Sequence, residues 1–110
     1  MKSDALRGHL DALILAVLEK EPLHGYAVMQ AIQVSSGGAL ELPTGSLYPA
    51  LRRLERAGYV QGEWRMVGGR RRRTYELTKA GERALAAERA EWRDFAAVVE
   101  GVLRPGTTPA

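Results

Sequence analysis

The chain has 110 residues, 45% hydrophobic and 26% charged, with no cysteine. That composition fits one folded domain and excludes a disordered chain, a disulfide scaffold and a cysteine-ligated zinc site. The formal net charge of +3 is unevenly spread: eight arginines and two acids lie between Arg52 and Arg73, a local +6, while eight basic and eleven acidic residues elsewhere give −3. Such asymmetry points to a polyanionic partner for one surface only.

No apolar run approaches the roughly 18 residues of a membrane span. The N-terminus mixes acids and a histidine with its leucines, unlike a secretion signal, so a cytoplasmic location without a membrane partner is expected. The first helix expected in chain order carries Leu6, Leu10, Leu13, Ile14, Val17 and Leu18 along one face and stops at Pro22. A second is expected from about His24 to Ser35, with Val28, Ala31 and Ile32 inward, ended by Ser35-Ser36-Gly37-Gly38.

The third helix is expected in "GSLYPALRRLERAGY" from Gly45. Leu47, Ala50, Leu51 and Leu54 fall at i, i+3, i+4 and i+7 and share one side. At about 100° per residue Pro49, Arg52, Arg53 and Arg56 take the other side, with Tyr48 on a flank. Thr44 or Ser46 would cap this helix, which would put Pro49 in or beside its first turn, where a missing N–H costs little. Gly58 would end it. Arg53 and Arg56 rank below Arg52, because neighbouring acids can engage them.

From Tyr59 the period changes to two. Val60 and Trp64 form one arm, Tyr75 and Leu77 the other, and Val67-Gly68-Gly69 lies between them, so a hairpin with an arginine-rich tip is expected. Arg71 and Arg73 share a face with Tyr75 but should lie beyond its buried part. Arg70 and Arg72 should point to the opposite face.

Thr78 would then cap a long helix from Lys79 to about Leu103, closed by Pro105-Gly106 and a frayed tail. A helix of 25 residues is about 37 Å long, more than so small a core can cover. Its inner positions recur every seven residues, with Leu85, Trp92 and Val99 on one line and Glu88, Phe95 and Val102 on the next. A second copy of the chain is the simplest cover for its far half.

Three helices followed by a basic hairpin is the order of a winged helix-turn-helix. The expected fold is therefore mainly α with a small β-hairpin: a DNA-binding domain over 1–78, a dimerisation helix over 79–103 and a flexible tail over 104–110. The third helix would enter the major groove of DNA and the hairpin would reach the flanking backbone or minor groove. Arginine suits both, since its planar fork pairs bidentately with phosphate or with guanine O6 and N7.

The segments "HGYAVMQAI", "LPTGSLYPALRRLERAGYV" and "RRRRTYELTKAG" resemble the three signature segments of the PadR family of transcriptional regulators. The resemblance spans nearly the whole chain and implies a homodimeric winged helix-turn-helix protein, mostly a repressor, of the subfamily with a single C-terminal helix. It implies DNA contacts from Ser46, Tyr48, Pro49 and Arg52 on the third helix and from Arg70, Arg71 and Arg72 on the wing. Some members of the family bind flat aromatic or cationic compounds between the dimer helices. Trp92, Phe95 and Val99 read first as core and dimer packing, and the resemblance adds an effector pocket there as a second reading.

His24 would start the second helix and, with Tyr26, touch a phosphate. Two histidines without cysteines or suitably spaced acids make no metal site, and no catalytic constellation stands out, so neither an enzyme nor a cofactor is expected. The competing reading is a winged-helix module that binds a protein or structured RNA, because fold alone does not fix function.

Overall fold

A computed structural model describes residues 8–106. Leu6 of the expected first stripe and residues 107–110 of the tail lie outside that range. The elements run α1 (Leu10–Leu18), β1 (Leu23–His24), α2 (Gly25–Ser35), α3 (Thr44–Arg56), β2 (Val60–Val67), β3 (Arg70–Leu77) and α4 (Lys79–Leu103).

The core takes Ile14, Leu15 and Leu18 from α1, Val28 and Ile32 from α2, and Leu47, Ala50, Leu51 and Leu54 from α3. Val60 and Tyr75 add the sheet and Leu85 the start of α4. All four apolar positions expected on the third helix are buried. Each fully buried leucine among them contributes about 1.5–3 kcal/mol by leaving water, which holds the opposite, basic side of α3 outward.

Two local features differ from expectation. The hairpin is part of a three-stranded antiparallel sheet of order β1-β3-β2. Its extra strand is the short Leu23–His24 segment, paired with Tyr75 and Thr74 of β3. The start of α3 also moves forward. Pro43 occupies the cap position without a side-chain hydrogen bond, and its carbonyl accepts from the N–H groups of Ser46 and Leu47 at 3.0 and 3.2 Å. Thr44 and Ser46 are thus inside the helix instead of capping it, and Pro49 stands in its second turn. There the missing N–H leaves the Gly45 carbonyl without its intrahelical donor. Gly45 is exposed, so water can satisfy that oxygen.

The wing turns tightly at Gly68 and Gly69, whose φ values of +58° and +78° suit a two-residue hairpin loop of type I′. This turn sets a register in which Trp64 faces Arg73, Met66 faces Arg71 and Gly62 faces Tyr75.

At α4, the Thr78 hydroxyl accepts from the Gly81 N–H at 3.0 Å and donates to the Gly58 carbonyl at 2.6 Å. One side chain therefore caps α4 and ties it to the end of α3. Farther along, Arg89 donates two hydrogen bonds to Glu19, at 2.9 and 3.0 Å, fastening α4 to the end of α1. Beyond that clamp α4 is largely uncovered: Phe95 is 57% exposed, Val98 67% and Val102 80%.

Candidate nucleic-acid interface

The leucine side of α3 fixes what its other side presents. Ser46, Tyr48, Pro49, Arg52, Arg53 and Arg56 are all exposed. Arg52 and Arg56 lie on the outward line and form no ion pair among the described residues. Arg53 sits on the flank toward α1, where its guanidinium donates to Asp11 at 2.9 Å. The acid that engages Arg53 is thus not a chain neighbour such as Glu55 but one that lies 42 positions earlier in the chain.

Tyr48 occupies the other flank. A Cβ at Gly25 would stand 2.7 Å from its ring, so the ring rests on the first residue of α2 and would have to shift for any side chain there. Tyr48 is still 42% exposed, packed on one side and open on the other. Glu55 shares this flank and accepts from Arg73 of β3 at 2.6 Å. The wing is thereby joined to the middle of the basic stretch through a half-buried ion pair.

This ion pair separates the four consecutive arginines by role. Arg73, on the same face as Tyr75, is drawn back onto α3, not left beyond the buried part of the strand. Glu55 holds its guanidinium pKa above the ordinary arginine value, chiefly through that hydrogen bond. Arg71 lies over the indole of Trp64, 5.0 Å from the ring centroid. Arg70 and Arg72 face the other way and form no ion pair among the described residues.

His24 lies next to this group as the cap of α2, its Nδ1 accepting from the Ala27 N–H at 3.3 Å. Burial first, and the nearby Arg72 charge second, push the imidazole pKa below its ordinary value. It is therefore neutral near pH 7, as its role as acceptor requires. Tyr26 is exposed on the first turn of α2 and lines a cavity of about 250 Å³ with Met29, Gln30 and Glu41.

Trp92 and Phe95 lie apart from these residues. Their rings are 6.0 Å apart, and Trp92 meets the edge of His9 at 5.2 Å. Val99 is half-buried one turn farther on. Together they form an open surface on α4. No helix among the described residues is long and apolar enough to cross a membrane.

The ion pairs of Arg53 and Arg73, and the Arg71–Trp64 stack, were not apparent from the sequence. The stack had a signal: with the turn at Gly68–Gly69, counting back along both arms places Trp64 opposite Arg73. The two ion pairs had none, because each joins elements distant in the chain.

Comparison with known proteins places this arrangement. A family model described as the transcriptional regulator PadR-like family matches residues 14–87. A transcriptional regulator from Clostridium thermocellum superposes with a TM-score of 0.84 at 26% identity, over 92% of this chain and 99% of that one. A PadR family transcriptional regulator from Eggerthella lenta gives a TM-score of 0.80 at 32% identity, over 94% and 89%. By sequence, a transcriptional regulator of Mycobacterium tuberculosis is 46% identical over 57 residues, which is 52% of this chain and 53% of that protein.

Proposed function

Since this chain belongs to the transcriptional regulator PadR-like family, we propose that it is a homodimeric repressor of an inverted-repeat operator, relieved by a small-molecule effector. Membership makes it a DNA-binding regulator and not an enzyme. The finer reading rests on one observation: α3 presents Arg52 and Arg56 without an ion pair among the described residues, and the Glu55–Arg73 ion pair joins the arginine-rich wing to that same helix.

In this reading α3 lies in the major groove, where Arg52 reaches base edges with Ser46, Tyr48 and Pro49 beside it. Arg70, Arg71 and Arg72 meet the flanking backbone or minor groove, and His24 and Tyr26 approach a phosphate at the start of α2. The exposed apolar residues of α4 pair with those of a second copy, so two reading heads face half-sites about 34–36 Å apart or a multiple of it. A planar aromatic or cationic compound held by Trp92, Phe95 and Val99 would alter how α4 sets that separation. In this reading the protein works in the cytoplasm, beside the DNA that it binds.

Selection from a random duplex library tests the reading. The selected sites should be inverted repeats with that spacing. On them, Arg52→Ala should cost about 1–3 kcal/mol at particular base pairs. Arg53→Ala should cost less, because Asp11 already engages its guanidinium. Equal losses on every sequence would reduce Arg52 to a backbone contact, and failure to enrich any site would overturn the proposal.

A further inference from the structure

The wing carries an exposed tryptophan that neither the core nor the DNA contacts proposed above account for. Trp64 is 56% exposed, so burial of apolar surface does not explain a side chain of this size there. Arg71 lies 5.0 Å and Arg73 5.7 Å from its ring centroid, as the register of β2 on β3 requires. Trp64 directly faces Arg73, and Arg71 is its diagonal neighbour on the same side of the sheet.

The two arginines are held in different ways. Arg73 spends hydrogen-bond donors on Glu55 at 2.6 Å. It reaches that acid across Gly62, where a Cβ would come within 2.8 Å of its Nε. Arg71 forms no ion pair among the described residues and is restrained only through the face of its guanidinium. Stacking of that kind leaves the in-plane N–H groups free for an oxyanion. A long side chain ordered before its ligand arrives also loses less conformational entropy on binding.

We propose that Trp64 is a positioning residue for DNA binding, which holds Arg71 at a fixed place relative to α3 with its donors free for a backbone phosphate. The fixed reference is the recognition helix itself, through Glu55 and Arg73. Trp64 thus turns one arginine of the run into a preset phosphate ligand, while Arg70 and Arg72 have no such ring partner among the described residues. This rests on the reading that the wing meets DNA.

The test is a double-mutant cycle on duplex affinity, using Trp64→Leu, Arg71→Ala and the two combined, with melting temperatures measured alongside. Trp64→Leu should weaken binding by about two- to five-fold for each wing, the size of an exposed cation–π interaction. Its melting temperature should stay near wild type. The combined variant should bind no more weakly than Arg71→Ala alone, and Trp64→Phe should recover most of the loss. Additive losses would show that Trp64 acts independently of Arg71, and unchanged affinity for Trp64→Leu would show that it does not act at all; either overturns the proposal. If Trp64→Leu unfolds the wing, the Trp64→Phe cycle with Arg71→Ala decides on the same criterion of additivity. If Arg70→Ala, Arg71→Ala and Arg72→Ala together leave affinity unchanged, it is the wing reading that fails.

Discussion

His24 combines a structural duty with a titratable group. Its Nδ1 lone pair receives the Ala27 N–H at the start of α2, and an imidazolium has no lone pair there to offer. Burial, and after it the Arg72 charge, hold its folded pKa below the ordinary value, which is about 6.5 when unfolded. The unfolded chain therefore takes up the proton more readily than the fold. The stability that neutral His24 contributes is complete above about pH 6.5 and is lost as the pH falls through the lower, folded pKa. Thermal melts should accordingly fall as the pH drops from about 7.5 toward 5, and His24→Asn, which keeps an acceptor at the cap, should flatten that fall. An equal acid loss in the variant would assign the proton to another group. The place of His24 at the head of a helix was legible in the sequence, since the apolar spacing of Val28 and Ile32 begins just after it. Its sensitivity to Arg72 was not, because that depends on how β3 lies against α2.

The helices carry their boundaries in local chemistry, and these were the more legible elements. Thr78 was expected as the cap of a helix running from Lys79 to Leu103, and α4 has those limits with that cap. The same hydroxyl also donates to Gly58. Thr78→Ala should therefore destabilise the fold by about 0.5–2 kcal/mol, seen as a lower urea midpoint at unchanged slope, and Thr78→Ser should restore most of it. A midpoint unaffected by Thr78→Ala would mean that water satisfies both groups. The short strand β1 was illegible because two residues, Leu23 and His24, contain no period; they are extended because β3 offers its edge. The start of α3 was misplaced for a related reason. Thr44 and Ser46 have the chemistry of caps, yet the chain leaves buried Leu42 and begins to coil at Pro43, so packing overrode local preference.

The described part of the chain extends well beyond a compact body. Its radius of gyration is 16.5 Å, against roughly 13 Å for a compact domain of about 100 residues. The excess fits α4, which runs past the Arg89–Glu19 clamp with Phe95, Val98 and Val102 in the open. In the proposed dimer those residues are covered. Val98→Asp combined with Val102→Asp should then give a monomer in sedimentation at micromolar concentration. Operator affinity should fall at least ten-fold, because the second head no longer binds at high effective concentration (avidity gains are about 10²–10⁴). A variant that remains dimeric would place the interface elsewhere. The central claim is that α3 and the wing make one cationic surface for DNA. Its most direct measurement is the salt dependence of duplex affinity, compared between the wild-type chain and one carrying Arg70→Ala, Arg71→Ala and Arg72→Ala. The wild type should show a steep fall of log K with log salt, and the variant a slope shallower by about 0.9 for each phosphate it no longer neutralises. Identical slopes for the two proteins would contradict the claim.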